Sequence, residues 1–208
     1  IEGFHNFKQT YFLKERQYFE SLEKAQNPKT LVVACCDSRV DPAILLHCKP
    51  GDLFVIRNVA ALVPAVTQAS NPCSVMSAIE YGVKHLNVEH IVVMGHSHCG
   101  GIHGLMAPET IAGETYIQDW VGIASPALER LQAITGDEDE KTRSRHCEEG
   151  AVLISLDNLL SYPWIAERVK NGQLKLHALY YDLSEGNLYR FSPDSEDFEL
   201  LFHTIENP

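Results

Sequence analysis

Apolar residues in this chain fall into two kinds of pattern. Leu31, Val32, Val33 and Ala34 form an unbroken run, as do Ile91, Val92, Val93 and Met94. Runs of that length suit strands buried on both faces of a parallel sheet. A third strand is expected at Leu53–Arg57, and Leu174–Leu183 reads as a fourth. Ser184–Asn187 is then a turn that returns Leu188–Phe191 antiparallel. Elsewhere the spacing is helical. Phe4, Phe7, Tyr11, Phe12, Tyr18, Phe19, Leu22 and Ala25 recur in steps of three, four and seven, which predicts one or two amphipathic helices before the break at Asn27-Pro28. Asp41-Pro42 predicts a short helix to about His47. Asn71-Pro72 predicts the start of another to about Leu86, with Val75, Ile79, Val83 and Leu86 on one face. Further helices are expected at Gly101–Ala107, Tyr116–Ile134, Cys147–Leu160 and from Tyr162-Pro163 to about Asn171-Gly172.

Strands alternating with helices imply right-handed crossovers and a mainly parallel sheet flanked by helices, with an antiparallel C-terminal edge strand. The fold class is therefore α/β. No repeat, linker or low-complexity segment divides the 208 residues, so one domain, 1–208, is expected, with a helical arm over about 1–26 and a core over about 29–191. The arm is rich in aromatics for a helix at the edge of a monomer. Packing on the chain's own core and packing on a second subunit are equally good readings of it. The run Gly136–Lys141 is read as a solvated loop or helix start.

Charge narrows the choice of partners. A formal net charge of −11 gives no basic face for nucleic acid, and no run reaches the length of a membrane helix. The first residues show no basic stretch followed by an apolar one, so a cytoplasmic location is expected. The chain does not begin with Met, which leaves an organelle such as a chloroplast or mitochondrion as the alternative. Six cysteines in a chain this long are too sparse for a disulfide scaffold and read as intracellular thiols, some of them metal ligands.

The chemistry lies where two of the apolar runs stop. One ends in Cys35, Cys36, Asp37, Ser38 and Arg39, the other in Gly95, His96, Ser97, His98, Cys99, Gly100 and Gly101. Ligands of open α/β sheets sit at the C-terminal ends of strands. His96 and Cys99 are spaced to grip one metal ion, and Cys35 can join them if the strands are neighbours. Zinc accepts such a set and keeps a fourth position for water. Cys36 points to the opposite face from Cys35. A thiol redox site at Cys35-Cys36 lacks the Cys-x-x-Cys spacing. Asp37 could complete a structural zinc site, but pairing with Arg39 two residues on is favoured, which keeps Asp37 ionised and off the metal. His98 and His103 are left unassigned. Cys48, Cys73, Cys147 and the isolated histidines at 5, 47, 85, 90, 146, 177 and 203 are read as structural.

Ala34–Val40 together with Gly95–Gly101 resembles the β-class carbonic anhydrases, whose Cys-x-Asp-x-Arg and His-x-x-Cys motifs stand in this order about sixty residues apart. Pro50–Phe54, Arg57–Ala60, Ala78–Tyr81, Cys147-Glu148 and Leu174–His177 fit as well, so the likeness runs over about residues 3–191. The resemblance implies one zinc per subunit on Cys35, His96 and Cys99, and Asp37 and Arg39 as a catalytic dyad. It implies a substrate pocket at a subunit interface lined by Gln26, Phe54, Val59 and Tyr81, with the Gly100 backbone nearby. The implied reaction is reversible hydration of carbon dioxide to bicarbonate by zinc-bound hydroxide, in a homodimer or higher homo-oligomer. The apolar walls suit a small uncharged substrate, and Gln26 can donate a hydrogen bond to it. Two thiolates offset the zinc charge, so activity is expected to rise into alkaline pH. With three histidine ligands, by comparison, bound water has a pKa of about 7. The alternatives are a carbonyl sulfide or carbon disulfide hydrolase with the same ligands, or a closed, non-catalytic zinc site. A subgroup of the family has a Trp, an Arg and a Tyr at a non-catalytic bicarbonate site. Arg57 and Tyr81 fit, but Val32 stands at the Trp position, which argues against inhibition there and for Asp37 held by Arg39.

Overall fold

The computed structural model describes residues 1–69, 72–133 and 139–201. Its strands are β1 (Thr30–Cys35), β2 (Leu53–Asn58), β3 (His90–His96), β4 (Lys175–Asp182), β5 (Asn187–Ser192) and β6 (Asp197–Leu200). They form one sheet in the order β2-β1-β3-β4-β5-β6. The pairs among β1 to β4 are parallel, and β5 and β6 add antiparallel. Because β2 and β3 flank β1 on opposite sides, the strand order reverses at β1, and a crevice opens between the carboxyl ends of β1 and β3. Cys35 and His96 are the last residues of those two strands.

The helices are α1 (Glu2–Phe7), α2 (Arg16–Lys24), α3 (Pro42–Leu45), α4 (Ser74–Lys84), α5 (Gly100–Met106), α6 (Thr115–Val121), α7 (Ser125–Ala133), α8 (Glu140–Leu160) and α9 (Pro163–Lys170). Side chains on one face of the sheet, Leu31, Val33, Ile91, Val93, Ala178 and Tyr180, pack with Val75, Ile79 and Val83 of α4, Val152 and Leu159 of α8 and Ile165 of α9. The alternate residues Val32, Ala34, Val92, Met94 and Leu179 form a separate cluster on the other face. The runs expected to be buried on both faces are so: Leu31 to Ala34 are all fully buried. A third cluster, including Cys35, Val40, Ala60, Leu62, Cys99, Ile102 and Cys147, closes the carboxyl end of the crevice. None of the described helices is long and apolar enough to cross a membrane.

Several boundaries differ from expectation for identifiable reasons. The Tyr116–Ile134 helix is two, because Gly122–Ala124 tightens into a 3-10 turn between α6 and α7. The helix expected from Cys147 begins at Glu140. Asp139 caps it, its carboxylate accepting from Thr142 N at 2.8 Å, so the charged first turns are helical and only the later ones are buried. Asp41 caps α3 as expected, accepting from Ala43 N and Ile44 N, though the helix stops at Leu45. Strand β6 was not foreseen, since it is four residues long and buries only Phe198. Asn71, Ile134, residues 136–138 of the charged run and His203 lie outside the described residues.

No residue of the N-terminal arm is fully buried, although Tyr18 Oη donates to the Pro50 carbonyl at 2.7 Å and Leu22 lies over Gly51 in the turn before β2. Neither α1, the π-helical stretch Lys8–Phe12 that follows it, nor α2 contains a buried residue. Its aromatics also stack on one another. Phe19 lies 5.8 Å from Phe7, 5.5 Å from Tyr11 and 4.8 Å from Phe12 between ring centroids.

Candidate metal centre

Three donors meet at the crevice. Cys35 Sγ, a ring nitrogen of His96 and Cys99 Sγ all lie within 4.8 Å of one another, and all three residues are buried. Each is aimed by its own surroundings. The Nδ1 of His96 is 2.8 Å from the carbonyl oxygen of Ser97. A carbonyl can only accept, so Nδ1 carries the proton and Nε2 presents a bare lone pair. Among the described residues, that Nε2 is the one buried side-chain nitrogen or oxygen without a hydrogen-bond partner. A buried polar atom left unmatched is costly, and a cation between the three donors removes the cost.

Cys35 Sγ accepts from two backbone amides, Asp37 N and Ala60 N, each at 3.4 Å. Ala60 reaches it from a turn in which Ala60 and Ala61 both have positive φ, 63° and 55°. Non-glycine residues adopt that region at a cost of about 1 kcal/mol or more each. Asn58 holds the turn closed, accepting from Leu62 N at 2.8 Å and donating to Leu62 O at 2.9 Å. Cys99 stands at the N-cap of α5, with Gly101 and Ile102 in the first turn beyond it. A hydrogen bond from Cys99 draws the Cys35 thiol down to about 4, and that bond and burial push Cys99 up. Two thiols this close release one proton readily and the second reluctantly. A divalent ion is what makes both thiolates stable together. Two thiolates and one neutral imidazole are a donor set suited to zinc.

Asp37 is not a fourth member of the group. Its Oδ1 accepts from Arg39 N and Nε, both at 2.9 Å, and its Oδ2 from Arg39 Nη2 at 2.7 Å. Oδ2 lies 3.9 Å from His96 Nε2, at the edge of the donor cluster. The Arg39 bonds hold the Asp37 carboxyl well below the usual carboxylate range. Arg57 braces the same loop from β2. It donates to the carbonyls of Cys35 at 3.0 Å, Asp37 at 2.6 Å and Val40 at 3.3 Å, and pairs with Asp41 at 3.2 Å.

The expected pocket residues divide into two groups. Val59 stands at the centre. A Cβ built on Gly101 would lie 2.6 Å from its Cγ1, and Trp120 Nε1 donates to its carbonyl at 2.8 Å. Gly100 is exposed beside Cys99, with no heavy atom within 4 Å of where its Cβ would be. Phe54 and Tyr81 pair with each other at 6.0 Å, but Phe54 is in register with Leu31, four residues before Cys35. That is about 13 Å along the strand from the donors. Gln26 is exposed in the segment between α2 and β1. Within one chain, then, Phe54 and Tyr81 are not brought to Cys35. Tyr81 also fails to join Arg57 and Val32. Arg57 is in register with Ala34 and so shares the Val32 face, whereas α4, which carries Tyr81, packs on the opposite one.

His98 and His103 are both exposed; His98 Nε2 lies 3.3 Å from Ser184 Oγ. Cys147 is buried as expected, and Cys48 and Cys73 are only half-buried. One residue that sequence reasoning left without a part is Glu148. Its Oε1 accepts from Cys99 N at 3.0 Å and its Oε2 from Tyr180 Oη at 2.7 Å. Burial pushes the Glu148 carboxyl up, and those two donors draw it back.

A family model described as carbonic anhydrase matches residues 30–188. Two curated relatives come from Arabidopsis thaliana. β carbonic anhydrase 5, chloroplastic, is 39% identical over 93% of this chain, and β carbonic anhydrase 3 is 41% identical over 88%. The chain spans 64% and 72% of their respective lengths. Among solved structures, the β-carbonic anhydrase CcaA superposes with a TM-score of 0.91 at 31% identity, covering 96% of each chain. A structure reported with two tetrameric β-carbonic anhydrases of Sordaria macrospora gives 0.78 at 30% identity, covering 92% of this chain and 94% of that one. The fold and these likenesses thus place the chain in the carbonic anhydrase family. The chain belongs to the β class of that family.

Proposed function

We propose that the chain hydrates carbon dioxide reversibly to bicarbonate and a proton, with one zinc held by Cys35, His96 and Cys99. The observation that carries this reading is the unpartnered, buried Nε2 of His96 facing two thiols, with an ionised carboxylate at their edge. Zinc bound there supplies the Lewis acidity that activates water.

The chain's own residues do the remaining work. Arg39 fixes the Asp37 carboxylate with a two-point bond, so Oδ2 is an oriented acceptor for the attacking oxygen's proton. Because Asp37 stays off the three donors, it leaves the fourth position free for substrate chemistry. Val59 gives an apolar wall for an uncharged molecule, and the exposed Gly100 leaves room beside Cys99. Gln26, Phe54 and Tyr81 complete the pocket from a second copy of the chain, a reading supported by the register that sets Phe54 four residues back from Cys35. The exposed aromatic arm and the tetrameric relatives support a homo-oligomer.

Stopped-flow hydration of carbon dioxide on protein of known zinc content tests the reading. Zinc-dependent turnover that rises with pH is expected. No turnover at full zinc occupancy, with hydrolysis of carbonyl sulfide in its place, would move the chain to the sulfur-substrate relatives.

A further inference from the structure

Glu148 sits in the part of α8 that packs on the sheet and is 5% exposed. A carboxylate is almost never buried to that degree without a partner, and among the described residues no Lys, Arg or His nitrogen stands within ion-pair distance of it. Its two oxygens are spent on two neutral donors, the backbone N–H of Cys99 and the phenol of Tyr180. Tyr180 is itself 1% exposed on β4, with the Arg145 guanidinium over its ring at 5.4 Å.

The amide that Glu148 holds has no other acceptor in view. Cys99 is the N-cap of α5, so its N–H precedes the helical ladder. The residue before it, His98, has a φ of +57°, an unfavourable conformation for a side chain of that size. The turn from β3 into α5 is thus strained at His98 and tied down one residue later by Glu148. One bond then fixes the Cys99 backbone, and with it the origin of the side chain. Its amide is anchored to α8, one residue before the first turn of α5.

We infer that Glu148, supported by the Tyr180 hydroxyl, is a positioning residue of the metal centre that acts through the Cys99 amide to hold the Cys99 thiolate where it meets Cys35 and His96. The inference rests on the reading of those three residues as the zinc site. An apolar side chain at 148 would avoid burying a carboxylate but would leave the Cys99 N–H unmatched in the core. A glutamine would keep both contacts, accepting from Cys99 through its carbonyl and donating to Tyr180 Oη through its amide.

Competition with a chromophoric chelator tests this on zinc-loaded wild type, Glu148→Gln, Glu148→Met and Tyr180→Phe. The cobalt-substituted forms are compared by their thiolate-to-metal absorption. Glu148→Gln should hold zinc within about threefold of wild type. Glu148→Met should weaken it by about 10- to 100-fold and alter the cobalt spectrum, and Tyr180→Phe should weaken it several-fold. A folded Glu148→Met with wild-type affinity and spectrum overturns the inference, as does a Gln variant as weak as Met. If the Met variant does not fold, Tyr180→Phe decides, and unchanged affinity and spectrum there overturn it. A wild-type chain that takes up no zinc fails at an earlier step, because it refutes the metal site itself.

Discussion

Asp37 and Arg39 meet edge to edge, with Oδ1 accepting from Nε at 2.9 Å and Oδ2 from Nη2 at 2.7 Å, while Nη2 also donates to the His98 carbonyl at 3.1 Å. One guanidinium therefore joins the loop after β1 to the loop after β3, the two segments beside Cys35, His96 and Cys99. Removing the carboxylate's charge should spare zinc and impair turnover. Asp37→Asn is expected to retain about one zinc per chain and to lose about 10²- to 10⁴-fold in kcat/KM. Zinc lost together with activity in that variant would make Asp37 a ligand instead.

The same pair sets a pH dependence of stability. Arg39 depresses the folded pKa of Asp37 below the unfolded value of about 3.9. A depressed carboxylate contributes stability that is complete above the unfolded pKa and is lost as pH falls through the folded one. The stability difference between wild type and Arg39→Gln should therefore be flat from about pH 5 to about pH 9 and shrink below about pH 4. Urea unfolding at a series of pH values measures it, and a difference that changes between pH 6 and 8 would contradict the assignment.

Gly95 is where α8 lies against β3. A Cβ built there would stand 2.5 Å from Val152 Cγ2. Gly95→Ala should cost about 1–3 kcal/mol, since a packed core absorbs an added methyl only by shifting. Gly100→Ala, with nothing within 4 Å of its built Cβ, should be far milder. Equal destabilisation of the two in thermal melts would show that backbone conformation, rather than contact with Val152, decides the outcome.

The arm covering α1 and α2 buries no residue in its own chain although it presents Phe4 and Phe7, which are 69% and 37% exposed. Tyr81 is likewise 45% exposed beside Phe54. Deleting residues 1–24 should reduce the assembly size seen by light scattering and lower activity, because the pocket would lose the side chains a second copy supplies. A truncated chain of unchanged size and activity would place the arm elsewhere.

How far the sequence could be read follows from which interactions are local. Strands β1 and β3 were plain because both faces are buried, so apolar residues run without a break. The three donors were plain because each stands at or just past the end of such a run. Strand β6 was not, since one buried phenylalanine among acidic neighbours carries no period. The early start of α8 was hidden by its exposed, charged first turns. The place of Tyr81 depends on which face of the sheet α4 covers, which spacing along the chain does not encode. Glu148 was legible only as part of a motif, because its two partners lie 49 and 32 residues away.

In the proposed site Cys35, His96 and Cys99 hold zinc with one position left open and Asp37 outside it. X-ray absorption at the zinc edge of the purified protein measures this directly. Two sulfurs at about 2.3 Å, one imidazole nitrogen at about 2.0–2.1 Å and one exchangeable oxygen are expected, with Asp37→Asn leaving the pattern unchanged. A site with a carboxylate as its fourth ligand that Asp37→Asn abolishes, or a protein without zinc, would contradict it.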